Sequence, residues 1–322
     1  MEIWDLNPVR QSRRRFLQDV QKGLMRKPKR LHSKYFYDEK GSHLFEQIMA
    51  LPEYYPSRCE NEILKTHAKD IISKAAGKKG LLLVDLGSGD GAKTEHLLPY
   101  IENTNGAYWP VDISHAAIEE QLTRLEKKHS QLRCIGLIGE FTQALRKVRE
   151  ARPKGVPVLA LFLGGNIGNF DDRGAMAFLR GIWQSLLPGD SLLIGFDLQK
   201  DPHQIERAYD DAGGVTAEFN LNLLDRINEE LDSDFDRKNF KHYATYNPIL
   251  GVCQSFLVSV KKQTIHIGGQ LFVLEAFECL HTENSYKYTF AQIEELARRI
   301  GFAVEHHYTD SKGWFTSSLW RR

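Results

Sequence analysis

The run LLLVDL (81–86), followed at once by Gly87-Ser88-Gly89-Asp90-Gly91-Ala92-Lys93, constrains the chain more than any other segment. An apolar run this short, entering a turn, reads as a strand buried on both faces. Glycines let the backbone take positive φ and approach a ligand closely. The next stretch, TEHLLPYI, reads as a helix whose first turn offers free N–H groups. Strand, glycine turn and helix open a nucleotide-binding α/β domain. Read literally, the turn also satisfies G-x-G-x-x-A, a dinucleotide fingerprint, so by itself it leaves the ligand open.

The alternation continues downstream. YWPVDIS is a second strand ending in Asp112, and SHAAIEEQLTRLEKKH is a helix that Ser114 can cap. LRCIGLIGEF and VPVLALFLGG are the third and fourth strands. AMAFLRGIWQSL is a helix closed by LPGD, and SLLIGFDL is the fifth strand. Short connections between alternating elements predict an α/β fold with a doubly wound, Rossmann-like parallel sheet. After Leu198 the alternation stops. Two helical pieces are followed by strand-like pieces, SFLVSV, TIHI and QLFVLEAFECL. QIEELARRIGFAVEHHYTD then returns to helix and strand, and SLW reads as a final antiparallel strand. The expected organisation is a core of residues 58–198 and 286–322, with 1–57 and 199–285 forming a substrate-binding lobe. Within that lobe, Val9–Leu24 fits an amphipathic helix whose arginine run is a solvated face. Tyr54 and Tyr55 lie between Pro52 and Pro56, where regular structure must stop.

Composition excludes several classes. Lys plus Arg number 43 against 42 Asp plus Glu, so no general field favours nucleic acid or anionic membrane. The four cysteines form no CxxC pair, which argues against zinc and against a disulfide framework. His266, His281, His306 and His307 match no usual ligand spacing, so no metal is expected. The N-terminus has no apolar signal region, and no apolar stretch reaches membrane-spanning length. A cytoplasmic protein acting on a small molecule, as a monomer, is the expectation.

Chemistry enters at a few positions. A carboxylate at Asp112 can accept hydrogen bonds from both hydroxyls of a ribose, whether of NAD or of S-adenosylmethionine. Its alternative role is to cap the next helix. LLPGDSLLIGFD looks like the corresponding part of class I methyltransferases, and Glu140 and Phe141 stand where those enzymes place an acid and an apolar neighbour around adenine. Across nearly the whole chain, five segments carry a more specific resemblance: YFYDEKGSHLFEQIMALPEYYPSRCENEIL, LVDLGSGDGAKT, LFLGGNIGNF, IERAYDDAGGVTAEFNLNLL and LHTENSYKY. Together they resemble the S-adenosylmethionine-dependent histidine Nα-methyltransferases of ergothioneine biosynthesis. The resemblance implies trimethylation of the α-amine of free L-histidine to hercynine.

Residue by residue, it implies that Gly87, Lys93, Asp112, Glu140 and Phe141 contact the methyl donor. It implies that Tyr54, Asn169, Tyr209, Glu283 and Ser285 hold the amino acid. Asn169 and Tyr209 offer neutral donors to a carboxylate, and Glu283 and Ser285 can hydrogen-bond imidazole nitrogens. Two departures from the family pattern bear on the acceptor. Gly164-Gly165-Asn166 stands where relatives commonly have Gly-Ser-Thr, and Ser255 stands where they carry methionine. Rival readings are another aromatic amino acid such as tryptophan as acceptor, a macromolecular methyltransferase, and an NAD-dependent dehydrogenase.

Overall fold

The computed structural model describes residues 2–6, 13–102 and 106–322. In chain order its strands are β1 (Glu2–Asp5), β2 (Leu82–Leu86), β3 (Ala107–Asp112), β4 (Arg133–Ile138), β5 (Val158–Phe162) and β6 (Ser191–Asp197). They continue with β7 (Phe240–Asn247), β8 (Val252–Ser259), β9 (Gln263–Ile267), β10 (Gln270–Leu274), β11 (Cys279–Tyr286), β12 (Ala303–Thr309) and β13 (Phe315–Arg321). Two compact units divide them. Unit 1 takes Pro56–Gln199 and Tyr288–Arg322 together with the N-terminal strand, and unit 2 takes the segment ending at Tyr55 and Lys200–Lys287.

Unit 1 is one eight-stranded sheet of order β1-β4-β3-β2-β5-β6-β13-β12. Strands β1 to β6 run parallel, and Val84 of β2 lies opposite Trp109 on one side and Ala160 on the other. The expected α/β sheet is therefore present. Strands β2, β5 and β6 are buried along their whole length, as apolar runs covered on both faces must be. The helices Asp172–Ser185 and Phe290–Ile300 present Leu179, Ile182, Ile293 and Leu296 to the main core. The last strand, β13, is antiparallel and inserted between β6 and β12. An all-parallel dinucleotide fold lacks that insertion.

Chain order reverses between β2 and β5, so the crevice beyond their carboxyl ends is the expected ligand position. The sequence pattern puts residues 1–57 whole in the lobe, but Glu2–Asp5 pair in parallel with β4 at the edge of the large sheet. A four-residue strand carries too little pattern to announce itself. Trp4 packs edge-on against Trp109 with centroids 5.2 Å apart, and that contact exists only in the folded chain.

Unit 2 combines helices with two small sheets. The first helix runs Arg13–Met25, buries Phe16, Val20 and Leu24, and exposes Arg13, Arg14 and Arg15. Residues 9–12 of the expected helix lie outside the described residues. The helix Val215–Leu231 packs Phe219 against Phe36 and Phe45, at 4.6 and 5.8 Å. Its start explains the motif AYDDAGGVTAEFN. Gly214 takes φ +75°, and Asp211 accepts the N–H groups of Val215 and Thr216 at 3.0 and 2.7 Å. Strands β11, β8 and β7 form an antiparallel sheet, and β9 and β10 a separate hairpin. QLFVLEAFECL, read as one strand-like piece, is in fact two strands. The turn between them includes Phe277 at φ +64°, a conformation a continuous strand excludes.

A buried ion pair locks the return of the chain into β6. Arg152 binds both carboxylate oxygens of Asp190, which also accepts the N–H groups of Val158 and Leu187 at 2.9 and 2.7 Å. Asp190 is 2% exposed. Breaking such a pair from one side leaves a buried charge without its counter-ion. Arg152→Met is expected to cost about 3 kcal/mol in urea denaturation.

Candidate active site

The glycine turn of unit 1 uses its permissive residues. Gly87, Gly89 and Gly91 take φ of +79°, +54° and +67°. The N–H groups of Gly87 and Ser88 donate to the Val111 carbonyl at 2.8 and 3.1 Å, which ties the turn to the end of β3. Gly89 donates to one Asp112 oxygen at 3.1 Å, and Ser114 donates to the other at 2.9 Å. Asp112 thus braces the turn while each oxygen keeps a further lone pair for a ligand hydroxyl. A Cβ built on Gly89 would meet nothing within 4 Å, so this face of the turn is open. At Gly91 a Cβ would lie 1.7 Å from Gln121 Nε2, so only glycine fits.

Beneath the turn runs a buried polar chain. Ser88 donates to Gln121, Gln121 to Tyr108, and Tyr108 and Thr94 to the same oxygen of Asp85, with distances of 2.6–3.1 Å. Burial pushes the Asp85 carboxyl up to about 6, against the pull of those two hydroxyls and of Lys93.

Phe141 begins the helix after β4, and its ring lies 3.4 Å from where a Gly87 side chain would start. It rests edge-on against Phe162 and tilted against Phe178. Glu140 is the N-cap of that helix, its own N–H taken by Gln143 at 3.2 Å. Gly139 donates to the Asp112 carbonyl at 2.9 Å, so the ends of β3 and β4 are joined. Gly87, Asp112, Glu140 and Phe141 are therefore gathered at the carboxyl edge of the sheet.

Lys93 makes an ion pair with Glu60, a residue the sequence reading passed over. Glu60 is fully buried, accepts the Gly164 N–H through both oxygens at 2.8–2.9 Å, and leaves no room for a side chain at Gly195. It joins the glycine turn to the loop after β5. A signal existed, because Glu60, Ile63 and Leu64 share one helix face and the two apolar residues are fully buried. The loop after β5 carries Asn169 in a short turn, Asn166–Asn169, entered through Gly164 and Gly165 at φ +80° and +68°. Asn166 folds back onto the Leu163 carbonyl at 3.0 Å, which accounts locally for the departure there.

In unit 2, Tyr209, Glu283 and Ser285 come together, and Tyr54 joins them. Glu283 and Ser285 alternate along β11 and share one face. Tyr209, the last residue of the helix Pro202–Tyr209, meets Ser285 hydroxyl to hydroxyl at 2.7 Å. The Tyr54 ring stands edge-on to Tyr209, centroids 6.3 Å apart, just before the helix Tyr55–Ala75. Pro56 falls in the first turn of that helix, where no N–H is needed. A residue missed from sequence completes the group. Lys287, 2% exposed, donates to Tyr209 at 2.8 Å and to Ser285 at 2.7 Å.

Burial raises the Tyr54 hydroxyl well above its usual range, helped by Tyr209, Tyr37 and Glu283 nearby, so it stays protonated. Burial also lifts the Glu283 carboxyl to about 7, against the attraction of Lys287. Ser255 lies directly across the ladder from Glu283, beside a bulge between His281 and Glu283.

A parallel sheet with a glycine turn, an acid closing the next strand and an inserted antiparallel strand defines a class I methyltransferase, and the dehydrogenase reading falls away. A family model described as histidine-specific methyltransferase, SAM-dependent, matches residues 16–322, and the chain belongs to that family. It is 36% identical to the histidine N-alpha-methyltransferase of Mycobacterium tuberculosis (strain CDC 1551 / Oshkosh) over 94% of this chain and 93% of that one. It is 35% identical to the protein of the same name from Mycolicibacterium smegmatis, with the same coverage. An L-tryptophan methyltransferase of Psilocybe serbica is 29% identical over 92% of this chain and 90% of that one. Among the described residues, no helix is long and apolar enough to cross a membrane.

The raised Glu283 carboxyl makes a linkage prediction. Its folded value lies above its unfolded one, so its contribution is intact below about pH 4.5 and is lost as pH rises through about 7. Glu283→Gln is expected to stabilise the ligand-free protein at pH 8, by on the order of 2 kcal/mol, and to change little at pH 4.5. Paired urea titrations at the two pH values measure the difference.

Proposed function

We propose that this enzyme transfers methyl groups from S-adenosylmethionine to the α-amine of free L-histidine, three in succession, forming hercynine. The observation that carries the acceptor is the face of β11 on which Glu283 and Ser285 stand side by side. One is an acceptor and the other a hydroxyl, the complement of an imidazole ring with one N–H and one bare nitrogen. Asn169 and Tyr209 are assigned to the substrate carboxylate, and Tyr54 to the ring, directly or through water.

The donor half fits its residues. The open face at Gly89 admits a ligand against the backbone, and Asp112 keeps lone pairs for two ribose hydroxyls. Phe141 offers an apolar surface beside Gly87, and Glu140 an acid, for adenine. Lys93, braced by Glu60, has two further N–H donors to direct. When bound, the donor supplies an electrophilic methyl carbon on sulfur. The amine lone pair forms the new C–N bond as the C–S bond breaks with its electrons leaving on sulfur, and the amine's proton passes to solvent. No covalent enzyme intermediate is needed, so positioning supplies most of the acceleration. Tyr54, held neutral, positions rather than abstracts. Tyrosine faces also tolerate the cation that forms as methyls accumulate.

Tryptophan is the second reading, favoured by the similarity to the Psilocybe enzyme and by the small Ser255 opposite Glu283. Mass spectrometry of the enzyme with S-adenosylmethionine and either amino acid decides between them, with three added methyl groups expected on histidine. Glu283→Ala is expected to lower kcat/KM for histidine by roughly 10- to 100-fold, about 1.5–3 kcal/mol, while S-adenosylhomocysteine binding stays within two-fold. Equal loss of both would contradict the assignment.

A further inference from the structure

We propose that Glu60 sets the charge balance of the donor crevice: its buried carboxylate cancels the field of Lys93, so that the crevice accepts a sulfonium. The inference rests on the donor assignment above and deepens it. It names a residue through which the enzyme tells the charged donor from its neutral product.

The position of Glu60 in unit 1 carries the argument. Its carboxylate accepts the Gly164 N–H at 2.8 and 2.9 Å, just beyond β5, and pairs with Lys93 at the exit of the glycine turn that follows β2. A Cβ at Gly195 of β6 would lie 2.3 Å from the same carboxylate. Glu60 therefore reaches three neighbouring strands, β2, β5 and β6, on one side of the turn. Asp112, Glu140 and Phe141, the residues assigned to adenosine, end β3 and follow β4 on the other side. A nucleoside laid along the turn between these groups points its sulfur end toward Glu60 and Lys93.

Elementary electrostatics gives the pair its role. The Lys93 side chain is 25% exposed and that of Glu60 not at all, so the ammonium meets a ligand and the carboxylate lies behind it. Alone, that ammonium repels a sulfonium, because Coulomb energy falls only as the inverse of distance and is strong where water is excluded. With Glu60 behind it the two charges form a dipole, whose field falls off faster. The N–H groups that Lys93 does not spend on Glu60 keep their short-range use as donors. Asp85, lifted to about 6 by burial and in electrostatic reach of both charges, is a second anion beneath the turn at pH 7.5. A buried ion pair adds little net stability, so stability alone does not account for a full negative charge here. Each transfer turns the sulfonium into a neutral thioether. A crevice with the lysine unanswered would favour that spent product over fresh donor.

The test is the ratio of two affinities. S-adenosylmethionine and S-adenosylhomocysteine are each titrated calorimetrically into the whole chain at pH 7.5, with no amino acid present so that nothing turns over. The two ligands differ by one methyl group and its charge, so the ratio isolates the sulfonium. In Glu60→Gln the ratio is expected to shift toward the product by roughly five-fold or more. In Glu60→Gln/Lys93→Met, with the cation also gone, it is expected to return to within about two-fold of the parent. A purely structural role for Glu60, holding the loop after β5, would weaken both ligands alike, so an unchanged ratio overturns the proposal. A shift that persists in the double variant overturns it as well, because Lys93 is then not the charge being cancelled. Should Glu60→Gln fail to fold, Glu60→Ala makes the same charge change without pressing an amide against the ammonium. A parent that binds neither compound overturns the donor assignment and this role with it. A parent that binds both, beside variants whose ratio does not move, overturns the role of Glu60 alone.

Discussion

The hydrogen bonds that tie the glycine turn to the end of β3 are the constraint on which unit 1 depends. Gly87 and Ser88 donate to the Val111 carbonyl, and Gly89 to the Asp112 carboxylate. They require a backbone at positive φ, which explains the glycines, and a carboxylate at the end of the neighbouring strand, which explains Asp112. Reversal of strand order between β2 and β5 places this turn where an open α/β sheet has its ligand crevice. Asp112 braces the local backbone by accepting from Gly89 and Ser114, with lone pairs left over, and it is Ser114 that caps the next helix.

Two lysines show how buried charge is used in the two units. Lys93 answers the fully buried Glu60, which in turn grips the loop after β5. Lys287 answers two hydroxyls on two different elements. Such groups add little net stability, because desolvation offsets most of what pairing returns. What they supply is orientation: an ammonium donates in every direction and accepts in none, so its neighbours lose freedom. The raised carboxyls of Glu283 and Asp85 share one cause, burial that outweighs the pull of the cations and hydroxyls beside them.

Much of unit 1 was legible because its signals are local. The glycine spacing, the apolar runs of β2, β5 and β6, and the acid ending β3 each follow from neighbours in sequence. Glu60 was less visible, since a charge among apolar helical positions looks like a surface residue until the helix face is counted. In unit 2, QLFVLEAFECL shows the limit of pattern. Its residues are uniformly strand-like, and the break follows from Phe277 adopting positive φ at the turn into β11. Lys287 was invisible, because a lysine two residues beyond a serine announces nothing about burial.

The sequence by itself determined the kind of sheet, the glycine turn, the strand-ending acid and the family, since these are written in short-range periodicity and in contiguous motifs. Tertiary structure alone decided that Glu2–Asp5 join the large sheet, that Glu60 clasps Lys93, and that Lys287 sits on Tyr209 and Ser285. The physical reason is the same in each case. These contacts link residues far apart along the chain, and whether a charge or a short strand is buried depends on partners that only the completed fold brings within hydrogen-bonding distance.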